Sequence, residues 1–104
     1  MPRLIANDDL TRSDLPSLDA GWGEIQSFAL TIDGYKEAGS FEHAAHIANA
    51  RACETLTDLR VCLFFEQRRW RHFGDDPDHT TMAYIRSLVR QIYDRVDVQA
   101  TGSV

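Results

Sequence analysis

A chain of 104 residues with 43% hydrophobic and 26% charged residues, 6 Gly and 3 Pro describes one globular domain. That balance excludes a disordered tail, a collagen-like fibre or a low-complexity array. Eleven Lys+Arg face sixteen Asp+Glu, a formal net charge of -5, and such a surplus of acid disfavours general nucleic-acid binding, which rests on positive charge. The acid is concentrated before residue 58, with nine acids and four bases, whereas seven of each follow it. The longest apolar run, Val61 to Phe65, has five residues, far short of the ~18–20 needed for a membrane span.

Residues 1–14 are polar and acidic without sustained periodicity, and are expected to form a loose arm. They resemble no secretory signal, so the expected address is the cytoplasm. Pro16 and Ser17 then read as a helix start, with Ser17 as cap. Leu18, Trp22, Ile25, Phe28, Ala29, Ile32 and Tyr35 share one face of this first helix, which is expected to run to about Lys36. Its glycines lower its propensity, so packing must hold it.

Ser40 is the next cap. Behind it, Phe41 to Glu54 reads as a short alanine-rich helix with Phe41, Ala44, Ala45, Ile47, Ala48 and Ala52 on one side. Thr57 is expected to cap a third helix, over about 57–73, that ends at Gly74. Leu59, Cys62, Leu63, Trp70 and Phe73 form its stripe, and Val61, Phe64 and Phe65 cover much of its remaining first half. A helix apolar on most sides is a central one.

Asp76 and Pro77 open the fourth helix as cap and first residue. Thr81, Met82, Ile85, Leu88, Val89, Ile92, Tyr93 and Val96 fill one arc of it, and residues 99–104 read as a frayed tail. These elements predict an all-α fold: a single domain over 15–98, a bundle of four mostly antiparallel helices with the third central. Cys53 and Cys62 have no zinc-ligand spacing and are expected as reduced buried thiols; a disulfide between them requires the chain to turn back.

Glu66 falls in the centre of the third helix's apolar stripe, where a carboxylate loses solvent at high cost and needs a partner. Arg51, on the apolar face of the second helix, is the expected partner in a structural ion pair, with Arg86 and Arg90 as the other candidates. A small enzyme or ligand-binding protein using Glu66 with Arg51, His43, His46 or His72 is the competing reading, and no nucleophile or second acid stands at a telling spacing to strengthen it. His43 and His46 are three apart, but HxxH alone is a weak metal signal and no metal or other cofactor is expected.

The run Arg68-Arg69-Trp70-Arg71-His72 puts cations at the negative end of the third helix's dipole, and Asp75, Asp76 and Asp78 follow at the positive end of the fourth. Solvated charge matched to the dipoles accounts for much of this pattern. The same arginines with nearby aromatics are also the residue types that anchor interfaces. The expected function is therefore a non-enzymatic interaction module of regulatory, adaptor or inhibitor type. Its partner-binding residues are Arg68, Arg69, Arg71, His72 and Tyr84, with Trp70 beneath; its partner is a protein, and a homodimer is one form it can take. Local nucleic-acid binding through the arginine cluster is a further alternative.

Overall fold

The computed structural model describes residues 11–31 and 53–101, with side chains to 98. They form one short 3-10 turn, Arg12–Asp14, and three α-helices: α1, Trp22–Leu30; α2, Leu56–Phe73; and α3, His79–Thr101. All regular structure among the described residues is helical, as an all-α fold requires. Four helices were expected and three are present here; residues 41–52 of the expected second helix lie outside the described residues, as do residues 32–36 of the first, while Cys53 and Glu54, expected at the end of the second helix, are not helical.

Two of the three helices, α2 and α3, begin where a side chain takes up a free amide. At α2 a capping box does this: Thr55 Oγ1 accepts from the Asp58 amide at 3.1 Å, and Asp58 Oδ2 accepts from the Thr55 amide at 3.2 Å. This places the start two residues before the expected Thr57 cap. At α3 the cap is Asp78, whose Oδ1 accepts from the Thr81 amide at 2.8 Å, in place of Asp76. Pro77 is buried in the turn ahead of the helix. Gly21 stands at the N-cap of α1 without a side-chain bond, so this helix starts four residues later than the Ser17 cap would place it. Ser17 instead donates its amide to Glu24 Oε2 at 2.7 Å.

The ends are equally local. Gly74 takes φ 79°, a left-handed conformation that side chains resist, and donates its amide to the Trp70 carbonyl at 3.0 Å. α1 stops at Leu30, where the Thr31 hydroxyl donates to the Phe28 carbonyl at 2.6 Å. α3 continues to Thr101, past the expected fraying point at Val98.

The core is formed by Ile25, Phe28 and Ala29 of α1, Leu59, Cys62 and Leu63 of α2, and Ile85, Leu88, Val89, Ile92 and Val96 of α3. The α3 residues repeat at helical spacing and make the apolar arc seen in the sequence. Full burial of each Leu or Ile stabilises by about 1.5–3 kcal/mol. The exposed Arg12–Asp97 pair at 4.0 Å adds at most about 1 kcal/mol. Packing, not surface charge, holds the fold.

Residues 11–14, expected in the loose arm, are folded into the 3-10 turn. Thr11 donates its amide and its hydroxyl to Asp14 Oδ2 at 2.8 and 2.9 Å, the Asp14 amide donates to the Thr11 carbonyl at 3.0 Å, and Arg12 sits 5.2 Å above the Tyr93 ring. From there the chain lies along α3. The Tyr93 hydroxyl donates to the Pro16 carbonyl at 2.6 Å, and the Arg86 guanidinium reaches the Ala20 carbonyl at 3.3 Å. As α3 advances from Arg86 to Asp97 its contacts retreat from Ala20 to Arg12, so this strap runs antiparallel to the helix.

Cys53 and Cys62 are joined in a disulfide, where reduced thiols were expected. The capping box explains how: the chain turns into α2 at Thr55, which brings Cys53 back beside the second turn of the helix. Cys62 is fully buried.

Candidate functional site

α2 divides into two halves with different surroundings. Every residue from Leu59 to Phe64 is buried, as are Glu66 and Gln67. Beyond Gln67 the helix emerges: Arg68, Arg69, Arg71, His72 and Phe73 are all exposed, and only Trp70 stays half-buried. The 3.6-residue repeat continues to Phe73, but the side of the helix that carries Phe73 is left uncovered there. Phe73, expected in the core stripe, is therefore 62% exposed. It keeps an edge-to-face contact with Trp70, with ring centroids 6.2 Å apart, and one with His72 at 5.7 Å.

The emergent half carries a groove of about 420 Å³ bordered by Phe65, Arg68, Arg69, His72 and Phe73. These positions follow the i, i+3, i+4, i+7, i+8 pattern, and at ~100° per residue they span an arc of about 140°. Phe65 and Phe73 mark its two ends, two turns or ~12 Å apart along the axis. Cationic side chains lie between them, and no acid borders the groove among the described residues. The Arg69 guanidinium stacks 5.6 Å from the Trp70 ring centre, and that of Arg68 lies 5.8 Å from Phe64. Such contacts contribute about 0.5–1 kcal/mol at exposed sites and fix otherwise loose side chains in place.

A smaller recess of about 130 Å³ adjoins on the other side of the helix end, bordered by Trp22, Gln26, Trp70, Arg71, Gly74, Asp75 and Asp76. Arg71 thus faces away from the other arginines, toward the acids of the α2–α3 turn. A third groove, of about 330 Å³, lies between the strap and α1 and includes Asp14 and Glu24.

Four of the five residues expected to bind a partner, Arg68, Arg69, Arg71 and His72, gather at the end of α2. Tyr84 stands apart on α3, half-buried against the core with its hydroxyl shielded from solvent, and borders none of these grooves. Trp70 lies beneath Arg69, and among the described residues its buried Nε1 has no hydrogen-bond partner.

Glu66 is 4% exposed and borders none of the grooves described above. Its expected partner Arg51 lies outside the described residues, as do His43 and His46. Of the alternative partners, Arg86 bonds to the Ala20 carbonyl and Arg90 is exposed. Two further buried polar residues of α2, Arg60 and Gln67, went unremarked in the sequence. Both are fully enclosed, and among the described residues the Gln67 amide has no hydrogen-bond partner at either Nε2 or Oε1. No group of three His, Cys, Asp or Glu among the described residues could hold a metal ion. No described helix is long and apolar enough to cross a membrane.

Asp78 is held clearly below its ordinary pKa of 3.8. The Thr81 amide that it caps lowers it most, the Thr81 hydroxyl next, and the charge of Arg69 adds to the effect. Comparison with protein-family models, with curated proteins and with solved structures finds no match to this chain.

Proposed function

We infer that this chain is a small helical interaction module that binds another macromolecule through the emergent end of α2. The observation that carries the reading is the exposure of Phe73 beside Arg68, Arg69 and His72, around an apolar groove. An aromatic ring left in water while the same helix is buried all round two turns earlier is surface kept for a contact. Aromatic and arginine side chains are also the commonest energetic anchors of interfaces. A regulatory, adaptor or inhibitor-type role follows from this, and a homodimer is one assembly it allows.

The supporting fold in this proposal is a four-helix bundle with α2 at its centre. A helix buried on all sides needs neighbours on more sides than α1 and α3 occupy. Residues 41–52 of the sequence-predicted helix precede the turn into α2 and are the segment we assign to the remaining sector, with Arg51 brought toward Glu66. A cytoplasmic address is retained from the sequence. The Cys53–Cys62 bridge is in tension with it, because glutathione keeps most cytosolic thiols reduced; alkylation trapping of the protein in intact cells decides between them.

Affinity capture from the native host tests the function, using wild type beside an Arg68→Glu/Arg69→Glu variant. A partner held by wild type and lost from the variant is the expected result. Partners retained at equal strength by both would overturn the assignment of this surface.

A further inference from the structure

Resting on that surface, we propose that its partner is an acidic amphipathic helix of another protein, lying along the last two turns of α2. The groove supplies both halves of the recognition. Phe65 and Phe73, ~12 Å apart, offer an apolar track whose length matches two turns of a facing helix, so bulky side chains at i, i+4 and i+7 of the partner can seat between and against them. Arg69 and His72 stand beside the track and meet carboxylates on the flanks of such a helix. No acid borders the groove among the described residues, so an acidic ligand meets no like charge there.

Charge decides against a nucleic acid. A phosphate polymer extends past the groove in both directions, onto Asp75, Asp76 and Asp78 of the adjoining turn and a chain of net charge -5. A short acidic helix ends where the cations end. Its binding needs only a few local contacts and survives a negative net charge, because the Debye length at physiological salt is ~8 Å.

The test uses the full chain and four fluorescent probes. The first is an 18-residue helical peptide with Leu at i, i+4 and i+7 and Glu on its other faces. The second has Lys in place of Glu, the third is a scramble of the first, and the fourth is an 18-nucleotide single-stranded RNA. The expected result is saturable anisotropy with the acidic amphipathic peptide, with the scramble at least about tenfold weaker. Phe73→Ser and Arg69→Glu each weaken it by about tenfold or more. Both side chains are exposed, so unchanged melting curves will show that these variants are folded. Amide shifts confined to the end of α2 support the site.

Preference for the Lys peptide or the RNA, or no binding of the acidic peptide, overturns the acidic-helix partner. Those outcomes leave the surface assignment to be judged by the capture experiment. Tight binding of the acidic peptide that neither variant weakens overturns this partner's placement and counts against the surface as well.

Discussion

Replacing Gln67 by Met should make this protein more stable. Gln67 is fully enclosed in the middle of α2, and among the described residues neither end of its amide meets a hydrogen-bond partner. A buried polar group left unsatisfied costs about 1–3 kcal/mol by mutational measure. Methionine has nearly the same length and flexibility, so it fills the same space without an amide to desolvate. Relaxation around the native amide reduces the sum for its two ends, which leaves an expected gain of about 1–3 kcal/mol. For a domain of about 100 residues each kcal/mol moves the melting temperature by roughly 4–8 °C. Urea unfolding followed by far-ultraviolet circular dichroism should therefore show a higher midpoint at an unchanged slope. Gln67→Ala deletes the same amide but opens a cavity, and should be less stable than Gln67→Met. A loss of about 1 kcal/mol or more in the methionine variant would refute the reasoning, since it would mean the amide makes strong bonds in solution.

Leu63→Ala empties a fully buried position of the core and should cost about 2–5 kcal/mol, read as a lowered urea midpoint. Thr55→Ala removes one arm of the capping box and should cost about 1 kcal/mol. Cys53→Ser opens the bridge, whose ends are nine residues apart, and should lose about 2–3 kcal/mol without reductant on the chain-entropy account; a dithiol reductant should bring wild type down toward the variant. Asp78 makes the α3 cap depend on acid. Its folded pKa lies below 3.8, so its contribution is present above that value and lost as the pH falls through the folded pKa. Thermal melts should show Asp78→Ala below wild type at neutral pH, with the gap closing in strong acid.

Much of the scaffold is legible in the sequence, and the parts that are not share a cause. The apolar arc of α3 is plain because Ile85, Leu88, Val89, Ile92 and Val96 hold helical spacing over three turns. The ends of the helices are less plain, because several residues compete for the same cap. Thr55 prevails over Thr57 because only Thr55 is followed three residues later by a carboxylate, Asp58, that can reach back. Asp76-Pro77 has the look of a helix start, yet Asp78 holds the Thr81 amide. Phe73 shows a deeper limit. Periodicity says which side of a helix is apolar, but how far the neighbours extend along it is a property of the assembled molecule. The groove at the end of α2 arises from that overhang, so its cations Arg68, Arg69 and His72 could be named from the sequence, while Phe65 and Phe73 read there as core. The Cys53–Cys62 bridge depends likewise on where the turn into α2 falls.

Between Pro16 and Ala20 the strap along α3 is gripped by its main chain. Arg86 and Tyr93 both bond to carbonyl oxygens, those of Ala20 and Pro16, and a carbonyl is supplied by whichever amino acid occupies the position. The side chains of Ser17, Leu18 and Asp19, which lie in water, carry no part of that grip. In related chains the two helix residues should change rarely and the three between the grips freely, so divergence in this stretch would be a record of drift rather than of altered function.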